Sequence, residues 1–93
     1  MEIFWTKHAL ERFMERALLY GLERIEVEEI IKKQLVRIRK GFDKKYKKDC
    51  FETIGVVANK FFTVQKAEDK KSIIVITLWE SNKKEVELWL SKK

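Results

Sequence analysis

An α+β domain is the fold class this sequence predicts: two N-terminal helices packed on a four- to five-stranded antiparallel sheet. Three observations predict it. Apolar residues recur at helical spacing in the first third of the chain. From Val36 onward the pattern changes to alternation and to Val/Ile/Thr-rich runs separated by turn-forming residues. Finally, 93 residues with no proline, no Ser/Gly-rich linker and no internal repeat predict one domain spanning residues 1–93. The 45% apolar and 39% charged composition suits a globular core beneath a heavily charged surface.

The elements follow in order. Ile3-Phe4-Trp5 reads as a short extended entry, and Thr6 as the N-cap of the first helix. From Lys7 to Tyr20, Ala9, Leu10, Phe13, Met14, Ala17 and Leu18 form one apolar face. Gly21 stands where a C′ residue is needed, with Leu22 able to fold back onto the last turn. A second helix is predicted from about Glu26 to Gln34, with Val27, Ile30 and Ile31 inward. Its acidic start (Glu26, Glu28, Glu29) and basic end (Lys32, Lys33) match the helix dipole. Val36-Arg37-Ile38-Arg39 alternates as a half-buried strand, with Val36 and Ile38 toward the core and Arg37 and Arg39 on the other face. Gly41 to Lys48 reads as a basic loop. Strands are predicted over Cys50–Ala58, Phe61–Lys66 and Ser72–Trp79, with turns at Asn59-Lys60 and at Glu68–Lys71. The last strand is apolar on both faces, which predicts a central position. Residues 85–90 fit a further strand or a helix equally.

The net charge of +6 is unevenly placed. Residues 32–48 hold nine Lys or Arg against the single acid Asp43, and the rest of the chain is slightly acidic. Such a segment is the electrostatic footprint of a protein that meets phosphates, although a solvated loop carries the same signature. The RNA-binding candidates are therefore Arg37, Arg39, Lys44, Lys45, Lys47 and Lys48, with Tyr46 as the stacking aromatic. Phe61, Phe62, Trp79 and Trp89 are expected in the core.

His8, Arg12 and Arg16 fall at i, i+4 and i+8 on the first helix, within an arc of about 80°. Guanidiniums hold a phosphoryl group in fork geometry, and an imidazole moves a proton near neutral pH. The alternative is that His8 serves the helix start and the arginines pair with carboxylates, Glu15 being one local option for Arg12. Other chemistries have no support. Gly21, Gly41 and Gly55 are too far apart for a phosphate loop, and one His with one Cys gives no metal-ligand spacing. No cofactor is expected. Cys50 opens an apolar strand and reads as buried and inert rather than as a partner of His8.

The run from Phe4 to Arg16, FWTKHALERFMER, resembles the opening T-x-H-A-x-x-R-x-x-x-R of domain of unknown function family 4258. Val27-Glu28-Glu29-Ile30 resembles that family's second helix, and Ile74-Val75-Ile76-Thr77-Leu78-Trp79 its closing strand. The resemblance spans roughly residues 3 to 80. It implies a fold similar to the RelE/ParE-type toxins, a group that includes metal-independent ribonucleases. It also implies catalytic roles for His8, Arg12, Arg16 and Thr77. Trp79 departs from the commoner Tyr and removes a hydroxyl that could move a proton.

The expected function is that of a RelE-like RNA-binding protein, with metal-independent RNA cleavage by attack of a ribose 2′-hydroxyl as its catalytic form. Expected partners are RNA, free or ribosome-bound, and a small acidic antitoxin. Two rivals stand beside it: a non-catalytic RNA- or protein-binding module using residues 32–48, and an interaction domain using an open sheet edge. Charged residues near the start leave no signal-peptide pattern, and no apolar run is long enough to span a bilayer, so the expected location is cytoplasmic.

Overall fold

The computed structural model describes residues 2–33 and 35–92. Strand β1 (Glu2–Trp5) leads into helix α1 (Lys7–Arg16), a 3₁₀ turn (Leu18–Tyr20) and helix α2 (Arg24–Lys33). Strands β2 (Val36–Asp43), β3 (Lys48–Val57), β4 (Lys60–Glu68) and β5 (Ser72–Glu80) follow, and helix α3 (Lys83–Lys92) ends the described chain. The five strands lie in the order β1-β5-β4-β3-β2.

Two findings overturn the predicted arrangement of two N-terminal helices on an antiparallel sheet. The sheet is mixed: β2 to β5 form an antiparallel meander, but β1 runs parallel to β5, with Glu2 opposite Ser72 and Trp5 opposite Val75. The third helix lies at the other end of the chain. The strand direction of β1 is fixed by contacts with the far end of the sequence, which no local pattern in Ile3-Phe4-Trp5 encodes. Residues 85–90 are helical because Asn82 and Glu85 form a reciprocal capping box. Glu85 N donates to Asn82 Oδ1 at 2.9 Å, and Asn82 N donates to Glu85 Oε1 at 2.8 Å.

Thr6 joins three elements. Its N–H donates to Val75 O at 3.1 Å, continuing the β1–β5 ladder, and its hydroxyl donates to Ile76 O at 3.1 Å. The same hydroxyl oxygen accepts from Ala9 N at 3.0 Å, which caps α1. Regular helix stops at Arg16, four residues short of the predicted Tyr20, and the chain tightens into the 3₁₀ turn. Gly21 closes it at φ 74°, and Leu22 turns back to bury itself, its N–H donating to Ala17 O at 3.3 Å. Helix α2 starts at Arg24, ahead of the predicted Glu26, because Glu26 reaches back to accept from Glu23 N at 2.9 Å. Its predicted end at Gln34 lies outside the described residues.

Strand β2 takes in the first part of the predicted basic loop, passing through a bulge between Arg39 and Gly41 and running on to Asp43. The β3–β4 turn falls on Ala58 and Asn59, at φ 50° and 64°, rather than on Asn59 and Lys60. Both residues take the left-handed conformation that a tight hairpin requires. Strand β5 is interior but not central; β4 holds the middle of the sheet.

The register sorts side chains onto two faces. Val64, Leu78, Val75 and Phe62 pack with Ala9, Phe13, Val27, Ile30 and Ile31 under α1 and α2. Each large side chain fully buried there contributes about 1.5–3 kcal/mol. A Cβ on Gly55 would lie 2.7 Å from Ile30 Cγ2, so α2 rests directly on the β3 backbone. Val36 and Ile38 point to the opposite face, which α3 covers; there Trp89 meets Phe61 edge-on at 5.4 Å. As the alternation predicts, Val36 is buried and Ile38 half-buried while Arg37 and Arg39 are exposed; the two arginines lie on the face of the principal core, at its β2 edge.

One charged group sits deep on that face. Lys66 is fully buried toward the C-terminal end of β4, and its Nζ lies 2.7 Å from Glu68 Oε1. The contact is an ion pair outside hydrogen-bond geometry, and no other acceptor among the described residues meets Nζ. The same Glu68 oxygen accepts from Arg37 Nε at 3.2 Å. Burial holds the Lys66 ammonium below its ordinary pKa, opposed by Glu68.

Two stability outcomes are expected. Thr6→Val keeps the shape of the side chain but removes the cap and the β5 edge bond, and urea unfolding should show a loss of about 2 kcal/mol. Glu68→Leu strands Lys66 without its counter-charge and should cost about 3–5 kcal/mol. Adding Lys66→Met to Glu68→Leu should recover most of that loss; a double variant as unstable as the single would contradict it.

Candidate nucleic-acid interface

The opening motif divides into residues occupied by the fold and residues left free of it. Thr6 caps α1 and binds the β5 edge, and Ala9 is fully buried. Arg16 Nη1 donates to Leu78 O at 3.3 Å, satisfying a carbonyl beyond the point where β1 stops covering β5. Arg12 Nη1 donates to Glu15 Oε2 at 2.5 Å, an exposed pair within one helical turn. His8 is exposed and makes no contact of this kind among the described residues.

His8 instead lines a groove of about 680 Å³ between the start of α1 and the β2–β3 loop. Lys7 and Glu11 stand beside it on the helix. The loop supplies Asp43, Lys45 and Tyr46, and half-buried Ile76 from β5 adds apolar surface. The loop is held in shape by Asp43, whose Oδ1 accepts from Tyr46 N at 3.0 Å. Lys47 follows at φ 55°, a left-handed position that lets the chain re-enter β3. The Lys45 ammonium lies 5.4 Å from the Tyr46 ring centroid, so cation and ring share one side of the groove.

The basic segment is less bare than its charge count implies. Lys32 pairs with Glu29, Arg39 Nη2 with Asp49 Oδ1 at 3.1 Å, and Lys48 with Asp69. Lys48 and the N–H groups of Lys71 and Ser72 hold the Asp69 carboxyl down to about 2. Arg37 is pinned between Glu68 and the Phe51 ring, its guanidinium carbon 3.6 Å from the centroid. Among the described residues of the segment, Lys33, Lys40, Lys44, Lys45 and Lys47 have no carboxylate partner. Three of these five cluster in the loop that borders the groove.

The structure thus brings together His8, Lys45 and Tyr46, with Lys44 and Lys47 adjacent in the loop. Arg12 and Arg16 do not line the groove. Thr77 pairs with Gln65 and faces away from the α1-covered side to which its neighbour Leu78 belongs. Cys50 is buried on that same far face, in register with Ala67 and removed from His8. Sequence reasoning passed over Glu11 and Lys66, although both were readable. Glu11 is one helical turn beyond His8, and strict alternation through Phe62 and Val64 puts Lys66 on the buried face. Among the described residues, no cluster of His, Cys, Asp or Glu is placed to hold a metal ion, and no helix is long and apolar enough to cross a membrane. No protein-family model matches this chain, and no curated protein matches it.

Proposed function

We propose that this protein binds single-stranded RNA in the groove between α1 and the β2–β3 loop. The observation that carries the reading is the convergence of His8 with Lys45 and Tyr46, far apart in sequence, on one groove bordered by unpaired lysines. Lys44, Lys45 and Lys47 supply phosphate attraction, and Tyr46 supplies a ring on which a base can stack. The resemblance of Thr6 to Arg16 to family 4258, and through it to RelE/ParE-type proteins, supports the same substrate class. A small acidic antitoxin, implied by that resemblance, would meet the same free lysines.

Binding is favoured over cleavage. Of the four residues that the resemblance makes catalytic, only His8 faces the groove; Arg12 is held by Glu15, Arg16 by Leu78 O, and Thr77 faces away. A lone imidazole without guanidiniums aimed at the same phosphate can move a proton but cannot stabilise the charge that develops.

Two measurements test this. Lys44→Glu, Lys45→Glu and Lys47→Glu together should reduce the log–log salt slope of RNA binding by about 2, since each phosphate contact on a single strand contributes about 0.7. The wild-type protein should leave RNA uncut, with no more 2′,3′-cyclic phosphate ends than a His8→Ala control, ribosomes present or absent. Cleavage at least a hundredfold above that control would restore the catalytic reading, since general acid–base transfer contributes about 10²–10⁴-fold.

A further inference from the structure

We propose that the groove selects guanine, and that Glu11 reads its Watson–Crick edge; the inference rests on the RNA-binding reading. A carboxylate on the wall of a phosphate-binding groove weakens binding of every phosphate nearby, so its presence needs a compensating task. Glu11 has none within the fold. No hydrogen bond or ion pair reaches its carboxylate among the described residues, whereas Glu15 on the next turn is neutralised by Arg12. The other groove carboxylate, Asp43, is committed to holding the loop through Tyr46 N.

Ionised carboxylates only accept hydrogen bonds, and their two oxygens accept side by side. Among the RNA bases, guanine alone presents two adjacent N–H donors, N1–H and N2–H, on one edge. Adenine and cytosine place a ring acceptor beside the amino group, and uracil flanks its single N–H with two carbonyls. Glu11 therefore attracts guanine and repels part of the corresponding edge of the other three. The remaining lining suits a nucleotide: Tyr46 and Ile76 give apolar surface to the base, and Lys7 and Lys45 give charge to the flanking phosphates. The volume of about 680 Å³ lies within the usual range for small-molecule sites, roughly 300–1,000 Å³.

The test measures binding of uridine nonamers carrying one central G, A, C or U, at a single salt concentration, by the wild type and by Glu11→Gln. The wild type is expected to prefer the G oligomer about tenfold, the discrimination typical of a bidentate base contact. Glu11→Gln, which offers one acceptor beside one donor, should lose the preference for G, because that pair matches an edge of A, C or U and no longer matches the two donors of guanine. Equal binding of all four by the wild type would overturn guanine selection and leave the RNA-binding reading standing. A preference that survives in Glu11→Gln would remove Glu11 from the role. Absence of binding to any oligomer would overturn both readings.

Discussion

Thr6 is the residue on which the arrangement of this protein turns. Its backbone extends the parallel pairing of β1 with β5, and its hydroxyl uses donor and acceptor at once, on Ile76 O and Ala9 N. The start of α1 is thereby fixed against the β5 edge just where β1 ends. Arg16, at the other end of the helix, closes on Leu78 O. Helix and edge strand are stapled at both ends, and the stretch of β5 that β1 leaves uncovered does not offer bare carbonyls to another chain. The direction of α1 follows, and with it the position of His8 and Glu11 over the β2–β3 loop.

A second constraint organises the other side of the same face. Lys66 sits near the end of the central strand with Glu68 as its one counter-charge among the described residues, and Glu68 also holds Arg37. One carboxylate thus fixes a buried cation and a cation at the sheet edge. Arg37 spends its charge within the fold and its flat guanidinium on Phe51. The segment from 32 to 48 divides accordingly into cations with structural partners in the strands and free ones concentrated in the loop.

Much of this was legible in the sequence, and the failures have physical causes. The caps at Thr6 and Gly21, the inward Ala9, Phe13 and Ala17 of the first helical stretch, the inward face of α2, and the strand-rich remainder follow from local rules, although Met14 and Leu18 of the same spacing are exposed. The parallel partner of β1 was not legible, because the pairing joins residues 70 apart in the chain, Glu2 with Ser72 and Trp5 with Val75. The alternation of β2 was legible as well, but not its cover: α3, which was left open between strand and helix, supplies the apolar surface over Val36 and Ile38. Its capping box, Asn82 to Glu85, was a readable sign of helix. Of the candidate site, His8, Lys45 and Tyr46 are brought together, whereas Arg12, Arg16 and Thr77 were grouped with His8 by position in a motif. Two of those three have partners that serve the fold, and helical spacing cannot distinguish a ligand-binding arginine from one that satisfies a carbonyl.

Strand β2 forms one border of the sheet, and nothing among the described strands pairs with its outer side. Its Arg37 and Arg39 are paired with Glu68 and Asp49, whereas Lys40 and the loop lysines Lys44, Lys45 and Lys47 beyond it have no carboxylate partner among the described residues. A neighbouring copy of the chain that approached edge to edge would set like charges opposite one another within a few ångströms, at a cost that rises as salt is removed. Approach along this border is therefore opposed by repulsion, in contrast to the stretch of β5 beyond β1, where Thr6 and Arg16 take carbonyls by hydrogen bonds. Colloidal stability at this border depends on ionic strength, and concentrated salt is the condition under which copies would first meet there.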